Sequence, residues 1–237
     1  KRDVETEMAI QARLKKFPVS ESEWENYVID QEINDRGIAV DVAFVSQAIR
    51  FDERSKATCL ERAKKLTGLE NPNSPLQLMD WLHGKGLSVE SLAKSEVTKM
   101  LRAATGDVRE VLELRQQLSK TSVKKYMAME AVMGEDHRAR GLFQFYGANR
   151  TGRFAGRLIQ LQNLPQNHLA QLKEVRTLVK NGDFDLLDML YDSISDVLSQ
   201  VIRTSFVPRS GCHFIVADYA AIEARVLAWL AGEQWVL

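Results

Sequence analysis

Residues 41–68, DVAFVSQAIRFDERSKATCLERAKKLTG, read as one long helix. Asp41 is the residue type that caps a helix N-terminus, and the pattern runs to about Leu66 with Gly68 just beyond its end. A second long run starts at Asp107, carries Val108, Val111, Leu112, Leu118 and Val123 on one face, and stops at Gly134. At a rise of ~1.5 Å per residue each would span roughly 35–40 Å. Between them, Asn73-Ser74-Pro75 puts proline at a first helical position. It opens a short helix around Leu78, Trp81 and Leu82 that Gly84 and Gly86 stop. Another short helix begins at Ser95 and closes near Gly106. Two long antiparallel helices with small helices between their ends make an elongated hairpin, a shape suited to gripping.

Outward from this hairpin the chain changes character. Before it, Val4, Met8 and Leu14 keep a helical pattern with no cap, as if cut inside a larger protein, until Pro18. Ser20-Glu21-Ser22-Glu23 is a capping box, followed by Trp24, Tyr27, Val28 and Gln31 at one-face spacing as far as Gly37. Ile38-Ala39-Val40 is a short extended link. After Gly134 the stretch Gly141 to Gly147 is aromatic and strand-like, and Asn149 to Pro165 is a polar, arginine-bearing loop. Residues 168–202 return to helix, punctuated by Asn181-Gly182. Phe206-Val207-Pro208 and His213-Phe214-Ile215-Val216-Ala217 read as strands around a Ser210-Gly211 turn, and Ala220 to Leu230 is an apolar helix. The expected fold class is α+β, mostly helical, with a boundary near residue 137 and a few antiparallel strands beyond it. There is no internal repeat and no low-complexity tract.

The composition, 45% hydrophobic and 27% charged over 237 residues, is that of a soluble globular protein. No apolar run approaches the roughly 18 residues of a membrane span, and no secretory leader is visible, so a cytoplasmic protein is expected. Cys59 and Cys212 form no C-x-x-C pair, and four isolated histidines give no zinc spacing. Lys plus Arg and Asp plus Glu each number 32, so the net charge is zero. Its distribution is uneven. Residues 1–107 carry 16 basic and 18 acidic groups, residues 108–160 carry 10 and 5, and residues 161–237 carry 6 and 9. The central basic excess comes mainly from Lys120, Lys124, Lys125, Arg150, Arg153 and Arg157, interleaved with Ser119, Thr121, Ser122, Asn149 and Thr151. Short hydroxyls among cations suit phosphate contacts that read no base; a solvated helix face with a basic loop is the plainer alternative.

Phe214-Ile215-Val216-Ala217-Asp218-Tyr219 is an apolar run ending in an acid, with Glu223 on the next helix. A buried strand would place Asp218 at a rim, where a carboxylate can bind a hard cation such as Mg²⁺. Capping of the following helix is the other reading.

Taken together, Asn149-Arg150-Thr151-Gly152-Arg153, Leu161-Gln162-Asn163-Leu164-Pro165 and Ala217-Asp218-Tyr219-Ala220-Ala221-Ile222-Glu223-Ala224-Arg225 resemble, in order and spacing, the family-A DNA polymerases. The continuation through Leu230 looks most like the phage-encoded members. Upstream, Asp30-Gln31-Glu32-Ile33-Asn34-Asp35-Arg36-Gly37-Ile38 and the helix start at Asn71, Ser74, Pro75 and Leu76 resemble the entry to that family's thumb.

The resemblance implies a helical thumb over 20–137, the first part of a palm over 138–237, and the tail of an exonuclease-like domain over 1–19. It implies that Asp218 and the carbonyl of Tyr219 bind the two catalytic Mg²⁺ ions, and that Glu223 is the steric gate against a ribose 2′-hydroxyl. Two-metal transfer suits such a site because charge develops on both attacking and leaving oxygens. Arg153 would touch the minor-groove edge near the primer terminus, where acceptors are nearly degenerate, and Gln162 and Asn163 would lie beside template and primer. Lys120, Thr121, Ser122 and Lys124 would lie along primer–template duplex DNA. Each also has a plain structural reading, as a local ion pair, a loop bond or a solvated cation. Ala220 and Ala221 replace a polar pair of the bacterial repair enzymes, and residues 168–202 are an insertion relative to them. Arg2-Asp3-Val4-Glu5 resembles the end of a proofreading domain, with Asp3 as a remnant metal ligand.

The triphosphate-holding fingers helix and the second palm aspartate have no counterpart in these residues. The expectation is therefore a fragment, inactive alone, of a polymerase that extends a DNA primer from dNTPs. A non-enzymatic DNA-binding module and a metal-dependent nuclease are the alternatives.

Overall fold

The computed structural model describes residues 2–120 and 123–236. The helix α1 (Arg2–Leu14) buries none of its residues. Ser20 caps α2 (Glu21–Arg36), its hydroxyl accepting from the Glu23 N–H at 3.4 Å, and Gly37 closes it at φ 58°. The short strand β1 (Ile38–Val40) leads to α3 (Val42–Thr67), which keeps both expected ends. Asp41 accepts from the Phe44 N–H at 3.2 Å, and Gly68 adopts the left-handed conformation at φ 70°. Then follow α4 (Pro75–Gly84), α5 (Lys94–Leu101) and α6 (Gly106–Leu118).

The expected second long helix is two helices. The helix α6 ends at Leu118, and α7 (Lys124–Val132) is a separate helix. The physical reason lies in Ser119, whose hydroxyl donates to the Gln116 carbonyl at 2.9 Å. Such side chains offer the backbone other partners and so weaken a helix interior. The α6–α7 pair still runs antiparallel to α3. Arg62 pairs with Glu110, Cys59 with Gln117, and the Phe44 ring lies 6.1 Å from that of Tyr126.

The strands β2 (Arg138–Ala139) and β5 (Phe206–Val207) flank β1 in an antiparallel sheet, with Ala39 opposite both Arg138 and Val207. A separate hairpin joins β3 (Phe143–Ala148) to β4 (Arg153–Gly156), so the expected loop 149–165 contains a strand. The helices α8 (Leu172–Asn181), α9 (Phe184–Leu190) and α10 (Ile194–Val201) precede β5, and α11 (Ile222–Ala231) follows it.

Two buried clusters use α3 at different ends. Leu78, Leu82, Val97, Val111 and Leu112 form the smaller, with Leu66 against it. The larger joins Val45, Ala48 and Phe51 to Tyr126 and Met129 of α7. Residues 168–202, expected only as an insertion of unassigned role, complete this core. Val175, Val179, Leu187, Ile194, Val197, Leu198 and Val201 are all buried in it.

The chain falls into two compact units divided between Val207 and Pro208. In the second, residues 213–217 are not a strand: Ile215 is 97% and Val216 89% exposed. An apolar run becomes a buried strand only with a neighbour to satisfy its backbone. Here β5 pairs for two residues before Pro208, which has no N–H to donate. No helix among the described residues is long and apolar enough to cross a membrane.

Candidate nucleic-acid interface

The β3–β4 hairpin carries the Thr151-Gly152-Arg153 turn at its tip. Gly152 sits at φ 67°, and a Cβ there would come within 2.8 Å of the Tyr146 ring, so the turn depends on glycine twice over. Arg153 is the first residue of β4, opposite Ala148, with an exposed side chain. At the far end of β4, Gly156 lets the next loop close in. A Cβ on it would lie 2.4 Å from Oε1 of Gln162. The hairpin and the Leu161–Asn163 3₁₀ turn are thus one packed piece.

That turn is held from below by cations acting on backbone carbonyls. Arg203, just before β5, donates to Leu164 O at 2.7 Å and to Pro165 O at 3.1 Å. Lys125 donates to Asn163 O at 3.3 Å. Burial, with help from the nearby Arg203 charge, lowers the Lys125 ammonium from its ordinary pKa. With the carbonyls engaged, the side chains of Gln162 and Asn163 remain exposed; Asn163 Nδ2 makes one long contact of 3.5 Å to Gln160 Oε1. Arg203 escaped the sequence reading because a single arginine between a helix and a short strand carries no pattern.

The basic stretch is divided. Lys120 pairs with Asp196 of α10, so its charge is already engaged. Lys124 is exposed at the start of α7, and Lys125 serves the loop rather than solvent. Thr121 and Ser122 lie outside the described residues. Lys120 and Asp196 line a cavity of about 580 Å³ together with Lys94, Arg115, Ser119 and Ser199. The Arg115 Nε is buried with no hydrogen-bond partner among the described residues.

The second unit holds Asp218 in an irregular segment, exposed, with Tyr219 77% exposed beside it. The following helix starts at Ile222 behind Ala221, whose φ is 51°, so Asp218 does not cap it. Glu223 lies in the first turn of α11. Among the described residues no three His, Cys, Asp or Glu side chains come together as a metal site. The described carboxylates therefore do not by themselves make a two-metal centre. Asp3 lies in the first turn of α1, on an exposed face.

The profile of DNA polymerase family A matches residues 45–237. This chain belongs to that family. It is 52% identical over 236 residues to a DNA polymerase of Bacillus phage SP02, a match covering 99% of this chain and 36% of that protein. The chain spans well under two thirds of its relative's length. No solved structure matches it.

Proposed function

We propose that the chain is the thumb, residues 20–137, and the first part of the palm, residues 138–237, of a DNA-directed DNA polymerase, with residues 1–19 leading out of an exonuclease-like domain and Asp3 as its remnant. The observation that carries this reading is the packed hairpin and turn. It presents Arg153, Gln162 and Asn163 from one rigid support whose carbonyls Arg203 and Lys125 hold. Polar side chains fixed this way can contact a paired base edge without choosing a sequence. Lys124 and Lys120, with Thr121 and Ser122, then track the phosphates of primer–template duplex.

In the complete polymerase, Asp218 and the Tyr219 carbonyl are this chain's contribution to binding Mg²⁺, and Glu223 gates the sugar of the incoming dNTP. The place of work is the cytoplasm of a bacterium or a phage-infected bacterium. The isolated chain binds duplex weakly and does not incorporate nucleotides.

The test is a fluorescence titration of the 237-residue chain with primer–template duplexes of different sequence at several salt concentrations. Affinity falling steeply with salt and little affected by sequence is the expected result. A flat salt dependence, or strong preference for one sequence, would overturn the reading.

A further inference from the structure

Asp30 is the one buried residue of α2, only 2% exposed, on a helix whose Trp24, Tyr27 and Val28 face solvent. This inverts the apolar face expected from their spacing. One carboxylate oxygen of Asp30 accepts from Gln31 Nε2 at 3.0 Å. The other, Oδ1, is buried with no hydrogen-bond partner among the described residues. An orphaned buried carboxylate oxygen is costly, and such an atom calls for a donor the protein itself does not supply.

Asp30 is one of the residues that line a cavity of about 440 Å³ between α2 and the β3 strand. Pockets for small organic groups run about 300–1,000 Å³. The walls are built. Asn34 ties α2 to β3 by accepting from the Phe143 N–H at 2.9 Å and donating to its carbonyl at 3.1 Å. Arg140 is locked by Asp35 O and by both oxygens of Asp136, which hold each other in place. Tyr27 and Phe145 contribute aromatic rings 5.7 Å apart at 75°. Arg157 also lines the cavity and makes no ion pair among the described residues.

The cavity thus offers three things at once: an unpaired buried acceptor, a ring surface and an available guanidinium. A ligand matching all three carries an N–H donor on a flat ring and an anionic group. An unpaired nucleotide with an exocyclic amine has that composition, and aromatic rings beside cations are the general means of holding single strands. We propose that this cavity binds one unpaired, amine-bearing base of single-stranded DNA, its amine donating to Asp30 Oδ1, its ring against Phe145 and Tyr27, and its phosphate on Arg157. The choice of DNA rests on the polymerase reading above; the donor and stacking requirements do not. Cytosine offers the amine, whereas thymine turns carbonyl oxygens toward the carboxylate on either side of its one imide N–H.

The test is anisotropy titration of the 237-residue chain with labelled dC and dT 12-mers and, separately, a duplex. Wild type should prefer dC by about tenfold or more, the size of one bond to a charged acceptor. Asp30→Asn, which can turn either an amide donor or an acceptor to the base, should abolish the preference with duplex affinity unchanged. Phe145→Ala should weaken dC and dT alike. Equal binding of dC and dT by wild type, or a preference that survives Asp30→Asn, overturns the proposal. Lys124→Ala acts on duplex binding alone, so loss of the duplex reading is distinguishable from loss of this one. A thermal melt of each variant checks folding, and should Asp30→Asn fail to fold, competition of dCMP against dTMP on wild type decides the matter.

Discussion

Asp41 is the residue on which the first unit can best be tested, because three elements meet at one carboxylate. It caps α3 through the Phe44 N–H, and it accepts from Arg176 at 2.6 Å and Lys180 at 2.7 Å, both on α8. Burial alone would raise its pKa, but Lys180, the Phe44 N–H and Arg176 outweigh burial and hold the carboxyl below its ordinary value. The cap is worth about 1 kcal/mol. The Asp41 side chain is 10% exposed and that of Arg176 27%, so this pair retains part of its strength; Lys180 at 43% adds little. Asp41→Ala should therefore cost about 2–3 kcal/mol, or about 5–10 °C in Tm for a chain of this size. Asp41→Asn keeps a good cap and loses only the charge, at about 1 kcal/mol. The assay is urea unfolding of wild type and both variants across pH. Because the folded-state pKa is depressed, the ionic contribution is full above the unfolded value near 3.9 and disappears as pH falls through the lower folded value. The gap between wild type and Asp41→Asn should thus close below about pH 4, while the gap between the two variants persists. If Asp41→Ala is no worse than Asp41→Asn, the capping role is wrong; if the wild-type gap is the same at all pH, the ion pairs contribute nothing.

Three further outcomes follow from named contacts. Arg203→Ala removes both bonds to the Leu164 and Pro165 carbonyls and should cost about 1–2 kcal/mol. It should also weaken duplex binding with no loss of salt slope; full rescue by Arg203→Lys would show that charge alone matters there. Asp196→Ala releases Lys120 and should tighten duplex binding with little change in the logarithmic salt slope, because the number of phosphates met stays the same; Lys120→Ala should flatten that slope by about 1, and an unchanged slope there would mean Lys120 meets no phosphate. In the full-length polymerase, Asp218→Asn should abolish primer extension and leave duplex affinity nearly intact, and surviving extension would remove Asp218 from metal binding.

The features that could be read in advance are those decided within a few residues. Asp41 and Gly68 end α3 as expected because caps act through the nearest turn, and the Ser20 box starts α2 for the same reason. What failed required a partner elsewhere in the chain. The apolar run 213–217 has the side chains of a buried strand, but no backbone ladder forms beside it. Residues 107–134 have the periodicity of one helix, yet their side chains favour a break after Leu118 that periodicity does not register. At the candidate interface, Arg153, Gln162 and Asn163 could be singled out by motif. Arg203, which supports two of them, could not, since its partners are carbonyls and carbonyls leave no trace in a sequence.

Charge shows the same limit and has a physical consequence for the interface. The acidic excess of residues 161–237 is not separate from the basic excess before it. Asp196 reaches Lys120 of that basic segment, while Asp185 reaches farther back, to Arg54 of α3, whose guanidinium also lies 4.1 Å from the centre of the Phe184 ring. The acids in these pairs are 61% and 85% exposed, so each pair contributes no more than about 1 kcal/mol. A cation held that weakly is available to a phosphate, which draws further strength from releasing the counterions condensed on duplex DNA. On the proposed reading, Asp196 holds Lys120 until a phosphate arrives and gives it up then at small cost. A net charge of zero is compatible with the proposed DNA binding for this reason: pairs this exposed are too weak to outcompete a phosphate for the cation.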